Sequence, residues 1–254
     1  MNRQAAILQR GSDISIAYHH IPGDEPGVIF CTGYKSDMTG GKAMALERHC
    51  RDAGQQFTRF DYQGHGESSG RFTDGTIGEW LDDTLAVLDD VATGPQVVVG
   101  SSMGGWIGLL AARARPGRVQ GFVGIASAVD FTQRIWERID DATRNLLLTE
   151  GVWMRPSEYD PEGYPVTLSL IEEGRNHLLM PGPIAFDGVV RLLHGQGDDA
   201  VPWKRSLEIA EALTAEDVAI TLVKDGDHRL SRDQDIARLT RTVAEATQAV
   251  RDRP

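Results

Sequence analysis

Two cysteines in 254 residues, Cys31 and Cys50, are too few for a disulfide framework and lack the paired spacing of a zinc site. Cys31 sits in an apolar run and Cys50 in a helix-like segment, so both are expected as buried thiols of a reducing compartment. Long apolar runs are missing as well. None approaches the roughly 20 residues that a membrane helix needs, which argues against stable membrane insertion. The opening residues, MNRQAAILQRGSD, hold neither the apolar centre of a secretory signal nor an Arg- and Ser-rich amphipathic stretch, and a cytoplasmic protein is expected. Positive charge is in deficit: 26 Lys and Arg stand against 37 Asp and Glu, a net charge of −11. A surface of that sign repels nucleic acid and anionic lipid alike, so neither is expected as a partner. No internal repeat and no low-complexity segment is found.

What is present is alternation. Apolar residues make up 41% of the chain, enough for a sizeable core. Short apolar runs read as strands at 13–21, 27–33, 95–102, 119–127, 189–195 and 218–226, and 56–66 reads as a strand followed by a turn. Between them, helical spacing marks 42–54, 76–92, 103–115, 203–214 and 231–251. Continuous β-branched strands alternating with amphipathic helices predict an α/β fold, a mostly parallel sheet flanked by helices. The chain is expected as a single domain over 1–254. One connection is far too long for a simple loop. At about 128–187 it holds two helix-like pieces, FTQRIWERIDDATRNLLL and TLSLIEEGRNHLLM, around the Pro-, Tyr- and Trp-rich stretch GVWMRPSEYDPEGYP. It reads as an inserted helical cap.

The apolar run ending at 100 leads into GSSMGG and then directly into WIGLLAARA. A strand, a G-x-S-x-G turn and a helix together make a nucleophile elbow, which raises a serine hydroxyl over the carboxyl edge of the sheet. Gly100 and Gly104 bracket Ser102; Ser101 has Val99 and Met103 at the equivalent flanks and fails the pattern. Ser102 is therefore the expected nucleophile, with the helix N-terminus behind it favouring developing negative charge.

A serine hydroxyl needs a base. Of the histidines after Ser102, His177 falls in the insertion and His194 ends a strand and is read as structural. His228, in VKDGDHRLS, sits on a loop between the last strand and the last helix, where an imidazole can hang over the strand edges. The acid is sought in GQGDDAVPW. Asp198 is preferred over Asp199, which could instead cap the following helix, and Asp130 after the preceding strand is an outside alternative. Two backbone N–H groups would hold an oxyanion, those of Met103 and of Tyr34 in the loop after VIFCTG. No metal and no cofactor is implied: DGDH offers ligands, but its histidine is already assigned, and His19 and His20 point to opposite faces of a strand.

These stretches resemble the α/β-hydrolase superfamily. FDYQGHGESSG is similar to its turn after the fourth strand, and GSSMGGW, HGQGDDAVPW and DHRLS to its elbow, acid loop and histidine loop. From about Gly33 onward, GYKSDMTGGKAMALE and EGVWMRPSEY add a closer likeness to a mitochondrial branch of acyl-glucuronide esterases and palmitoyl-protein thioesterases, although that branch's import sequence is not seen. The resemblance implies the α/β-hydrolase fold and hydrolysis of carboxyl esters or thioesters through Ser102, Asp198 and His228, with Tyr34 and Met103 at the oxyanion. The expected partner is a small acyl ester or thioester, with an S-acylated protein as a further candidate. Trp153, Met154, Tyr159 and Tyr164 of the insertion are candidates for an acyl pocket, and Arg155 and Arg175 for contacts to an acidic leaving group. Two rivals remain: a serine peptidase of the same fold, with Glu172 and Glu173 as a clamp for the substrate amine, and a hydrolase-fold protein that binds without catalysis.

Overall fold

The computed structural model describes residues 4–157, 161–180 and 182–253. Its centre is an eight-stranded sheet in the order β1-β2-β4-β3-β5-β6-β9-β10. The six strands β3 (Asp24–Cys31), β4 (Gln55–Phe60), β5 (Gln96–Ser101), β6 (Val119–Ile125), β9 (Val189–Gly195) and β10 (Val218–Val223) are parallel to one another. The edge pair β1 (Ala6–Arg10) and β2 (Ile14–Ile21) is antiparallel.

The two-residue period of the strands divides the core. In β5, Val98 packs into one apolar cluster and its neighbours Val97 and Val99 into the other; Phe122 and Val123 of β6 divide the same way. One cluster takes the helices α2 (Ile77–Asp90), α3 (Met103–Ala114) and α7 (Lys204–Ala212), through Trp80, Trp106 and Ile209. The other takes α1 (Gly41–Asp52) and α8 (Asp233–Arg251), through Leu46 and Val243. Strands buried on both faces lose the polar alternation of a half-exposed sheet, which is why VIFC and VVVG are apolar throughout. Cys31 and Cys50 are buried and free.

The sequence pattern misses three features. Strand β1 escapes because AILQR lies at the sheet edge with Ile7 half exposed, so no apolar alternation marks it. The stretch 131–148 is two helices, α4 (Phe131–Arg138) and α5 (Asp141–Glu150), because the Asp140 side chain accepts the Thr143 N–H and starts a new helix. Across 152–167, β7 (Val152–Arg155) pairs antiparallel with β8 (Tyr164–Thr167). The second helix-like piece is the short α6 (Leu168–Gly174), capped by Thr167, followed by a 3₁₀ turn over Arg175–His177. Among the described residues, no helix is long and apolar enough to cross a membrane.

His65 makes the fold sensitive to acid. Its Nδ1 lies 3.1 Å from the Gln63 carbonyl, so that nitrogen carries the proton, and its ring is edge-packed against Tyr62, Phe72 and Trp80. Burial lowers its pKa from 6.5 to about 4. The unfolded chain takes up this proton as pH falls below 6.5, the folded chain only near 4. The stabilisation is therefore complete above 6.5 and is lost as pH drops toward 4, by about 3 kcal/mol in all. In urea unfolding between pH 7 and 4.5, His65→Phe should show a shallower fall in stability than the wild type. Parallel curves would remove His65 as the cause.

Candidate active site

Ser102 stands between the end of β5 and the start of α3, with φ 54° and ψ −116°. This strained conformation is held by the backbone: Ser102 N–H donates to Ile125 O (2.8 Å), and the Ala128 and Gly105 N–H groups donate to Ser102 O (both 2.9 Å). The Gly104 position explains why the turn needs glycine there. A Cβ on it would lie 2.2 Å from Cys31 O and 2.5 Å from Thr32 O, backbone atoms at the end of β3. Gly104→Ala should thus push α3 off the sheet and cost roughly 3 kcal/mol, read as a lower urea midpoint. An unchanged midpoint would contradict this packing.

The Ser102 hydroxyl lies 3.1 Å from His228 Nε2, and His228 Nδ1 lies 2.7 Å from Asp198 Oδ2. His228 comes from the loop between β10 and α8. That loop is stitched to its surroundings: Gly197 N–H donates to Gly226 O (2.9 Å), and Lys42 Nζ donates to Arg229 O (2.6 Å). Burial and the neighbouring Arg229 charge lower the Lys42 pKa to about 8.

Asp198 follows β9 and its side chain is fully buried. Four donors converge on it. Oδ1 takes the N–H groups of Ala200 (2.9 Å) and Val201 (2.8 Å), while Oδ2 takes His228 and, at 3.0 Å, His194 Nε2. His194 Nε2 also lies 3.0 Å from Val201 O, so it faces two acceptors and must carry the proton; Nδ1 then accepts from the Ser206 hydroxyl at 2.7 Å. Burial alone would raise the Asp198 pKa, but the hydrogen bonds from His194 and His228 hold the carboxyl well below its usual range. His194 is thus structural, as its strand-end position indicates, but the sequence carries no sign that it reaches Asp198. Asp199 is exposed and does not cap α7, whose N-cap is Trp203. Asp130 is spent elsewhere: it accepts the Leu179 and Met180 N–H groups at 2.9 Å each and so pins the far end of the insertion.

These groups open into a cavity of about 900 Å³ between the sheet edge and residues 131–166. Tyr34, Met103, Trp153 and Tyr164 line it. Met154 does not. Alternation along β7 turns Met154 and Val152 outward, 48% and 36% exposed, while Trp153 and Arg155 face in. Tyr159 lies outside the described residues. Arg155 lines the cavity, together with Arg134 and Arg138, but Arg175 instead stands 5.3 Å over the Trp136 ring. Glu172 and Glu173 are not part of the lining; Glu173 accepts the Gly78 N–H and pairs with His177. Asp61, in the FDYQGHGESSG turn, accepts the Met38 and Glu67 N–H groups (2.6 and 2.9 Å) and so ties that turn to the loop after β3. Among the described residues, no group of three or more His, Cys, Asp or Glu is placed to hold a metal ion.

Residues 26–163 match the family model described as serine aminopeptidase, S33 (Hydrolase_4). The mouse palmitoyl-protein thioesterase ABHD10, mitochondrial, is 43% identical over 239 residues, which cover 94% of this chain and 80% of the mouse protein. The chain belongs to the α/β-hydrolase family. This hydrolase is also similar to two solved structures. Alpha/beta hydrolase domain-containing protein 10 from mouse superposes with a TM-score of 0.90 at 42% identity, covering 96% of this chain and 98% of that one. A putative hydrolase from Agrobacterium vitis S4 gives 0.91 at 42% identity, covering 96% and 97%. The same comparisons correct one expectation. The cytoplasmic location expected from the sequence is at odds with the relatives from mouse, cattle, rat and human, all mitochondrial by designation.

Proposed function

We propose that this hydrolase is a serine esterase or thioesterase acting through an acyl-enzyme, with Ser102 as nucleophile, His228 as base and Asp198 as its orienting acid. The observation that carries this reading is the continuous relay from the Ser102 hydroxyl through both nitrogens of His228 to a buried carboxylate. Because Asp198 holds Nδ1–H, Nε2 is free to take the Ser102 proton as Oγ attacks the acyl carbonyl. The N–H groups of Tyr34 and Met103 receive the oxyanion. His228 then gives its proton to the leaving alcohol or thiol, and water repeats the sequence on the acyl-enzyme.

The chain works as one domain over 1–254, with the insertion as a cap over the site. The cavity's size and the Trp153, Tyr164 and Phe131 rings on its wall suit an acyl group. The relatives' designation as palmitoyl-protein thioesterases supports S-acyl substrates, on protein or small thiols. An aminopeptidase reading loses its proposed clamp, since Glu172 and Glu173 lie outside the cavity lining.

The test is turnover of p-nitrophenyl esters from acetate to palmitate and of a palmitoyl thioester, with fluorophosphonate labelling followed by peptide mass analysis. A chain-length optimum and an adduct on Ser102 are expected. No turnover above background, with hydrolysis of aminoacyl p-nitroanilides in its place, would replace this reading with a peptidase.

A further inference from the structure

The loop carrying Tyr34 touches both the nucleophile and the cap. At Gly33 an added Cβ would lie 3.5 Å from the Ser102 Cβ, so the backbone leading into Tyr34 runs directly past the nucleophile. The Tyr34 side chain reaches the insertion. Its hydroxyl donates to the Pro165 carbonyl of β8 at 2.5 Å. Its ring is edge-packed by Phe72 and Trp80 of the body (4.8 and 5.9 Å) and by Phe131 and Tyr164 of the insertion (5.6 and 6.2 Å).

The next residue repeats the connection. Lys35 has a φ of 55°, in the left-handed region that non-glycine residues occupy only when their surroundings hold them there. Its Nζ reaches the Gly163 carbonyl at 3.3 Å and stands 5.7 Å over the Tyr164 ring. Two consecutive loop residues are thus tied to three consecutive residues of the hairpin's second arm, 163–165. Elsewhere in the loop, Ser36 N–H donates to Gly33 O and closes it internally, while Met38 N–H donates to Asp61 and anchors its far end.

We propose that Tyr34 is a positioning residue: its hydroxyl, bound to the Pro165 carbonyl and seconded by Lys35, orients the Tyr34 backbone N–H beside Ser102, so that the oxyanion site is complete only while the β7–β8 hairpin is seated. The inference rests on the acyl-transfer reading above. It makes cap position a determinant of rate as well as of substrate entry, because an N–H that swings away stabilises the transition state less and barely alters ground-state binding.

Tyr34→Phe tests it, since the ring packing is retained and only the hydroxyl goes. With p-nitrophenyl acetate, too short to need the cap, kcat should fall about tenfold while KM stays within about twofold. That is a fraction of the 10²–10³ lost when an oxyanion donor is removed outright. The affinity of a boronic acid, whose serine adduct carries the tetrahedral oxyanion, should weaken by the same factor. Lys35→Met alters an exposed side chain and keeps the test available if Tyr34→Phe does not fold; it should show the same split, about threefold in kcat. Unchanged kcat with a lowered melting temperature would reduce Tyr34 to packing, and a loss confined to KM would make it a pocket wall; either overturns the inference. Fluorophosphonate labelling separates it from the reading beneath: a wild type that forms no Ser102 adduct defeats both, while a labelled wild type matched in kcat by Tyr34→Phe defeats this inference alone.

Discussion

Ser102→Ala should abolish ester turnover, lowering kcat by about 10⁶ and leaving only the weak rate that binding and the oxyanion donors supply. The size follows from the chemistry. Without Oγ no acyl-enzyme forms, and His228 has no nucleophile to activate. The change should be quiet for folding. The hydroxyl is hydrogen-bonded to His228, and the strained φ is carried by backbone hydrogen bonds that alanine retains. Urea unfolding should therefore differ by no more than about 1 kcal/mol. Ser101→Ala is the paired control, because Ser101 ends β5 next to the elbow and is not the serine hydrogen-bonded to His228. It should keep its rate within a few-fold. If Ser102→Ala kept a hundredth of wild-type activity, or if Ser101→Ala lost as much, the elbow would have been assigned to the wrong serine.

Much of this site is legible in the sequence because its parts sit where chain direction alone puts them. The carboxyl ends of β5, β9 and β10 lie along one edge of a parallel sheet, so Ser102, Asp198 and His228 converge although 126 residues separate Ser102 from His228. Which helix covers which face is not legible: amphipathic spacing marks the apolar side of each helix, but only the folded chain puts Trp80 and Trp106 on one side of the sheet and Leu46 and Val243 on the other. What fails is whatever depends on contacts across the fold. Nothing local to HGQGD says that His194 turns back onto Asp198, because that contact needs the loop to fold over the strand end. The hairpin β7–β8 is hidden by its aromatic and proline content, and two-residue alternation within it, invisible before pairing is known, is what turns Met154 out and Trp153 in. The role of Tyr34 is half visible: Gly33 marks the turn, but the partner of the hydroxyl lies 131 residues away.

The four donors around Asp198 make Asp198→Asn the sharper test of mechanism, with an expected fall in kcat/KM of about 10⁴. An asparagine has one oxygen for four donors. If that oxygen stays with the Ala200 and Val201 N–H groups, as the backbone dictates, the NH₂ group faces His194 and His228. His194 cannot turn its proton away, because Val201 O also demands it and Nδ1 is held by Ser206. His228 can adapt, by moving its proton to Nε2 and accepting at Nδ1. That tautomer presents N–H to Ser102 and cannot take its proton, so the loss should appear in kcat and in the rate of fluorophosphonate labelling, with little change in KM. The clash at His194 adds a stability cost of about 1–3 kcal/mol, since its buried Nε2–H then faces an N–H donor and keeps only Val201 O as acceptor. Asp199→Asn, at an exposed carboxylate, should leave both rate and stability within about twofold and about 0.5 kcal/mol. If Asp199→Asn carried the loss and Asp198→Asn did not, the buried carboxylate would be a structural anchor for the 198–201 loop, and the acid of the relay would have to be Asp199 in a rearranged loop.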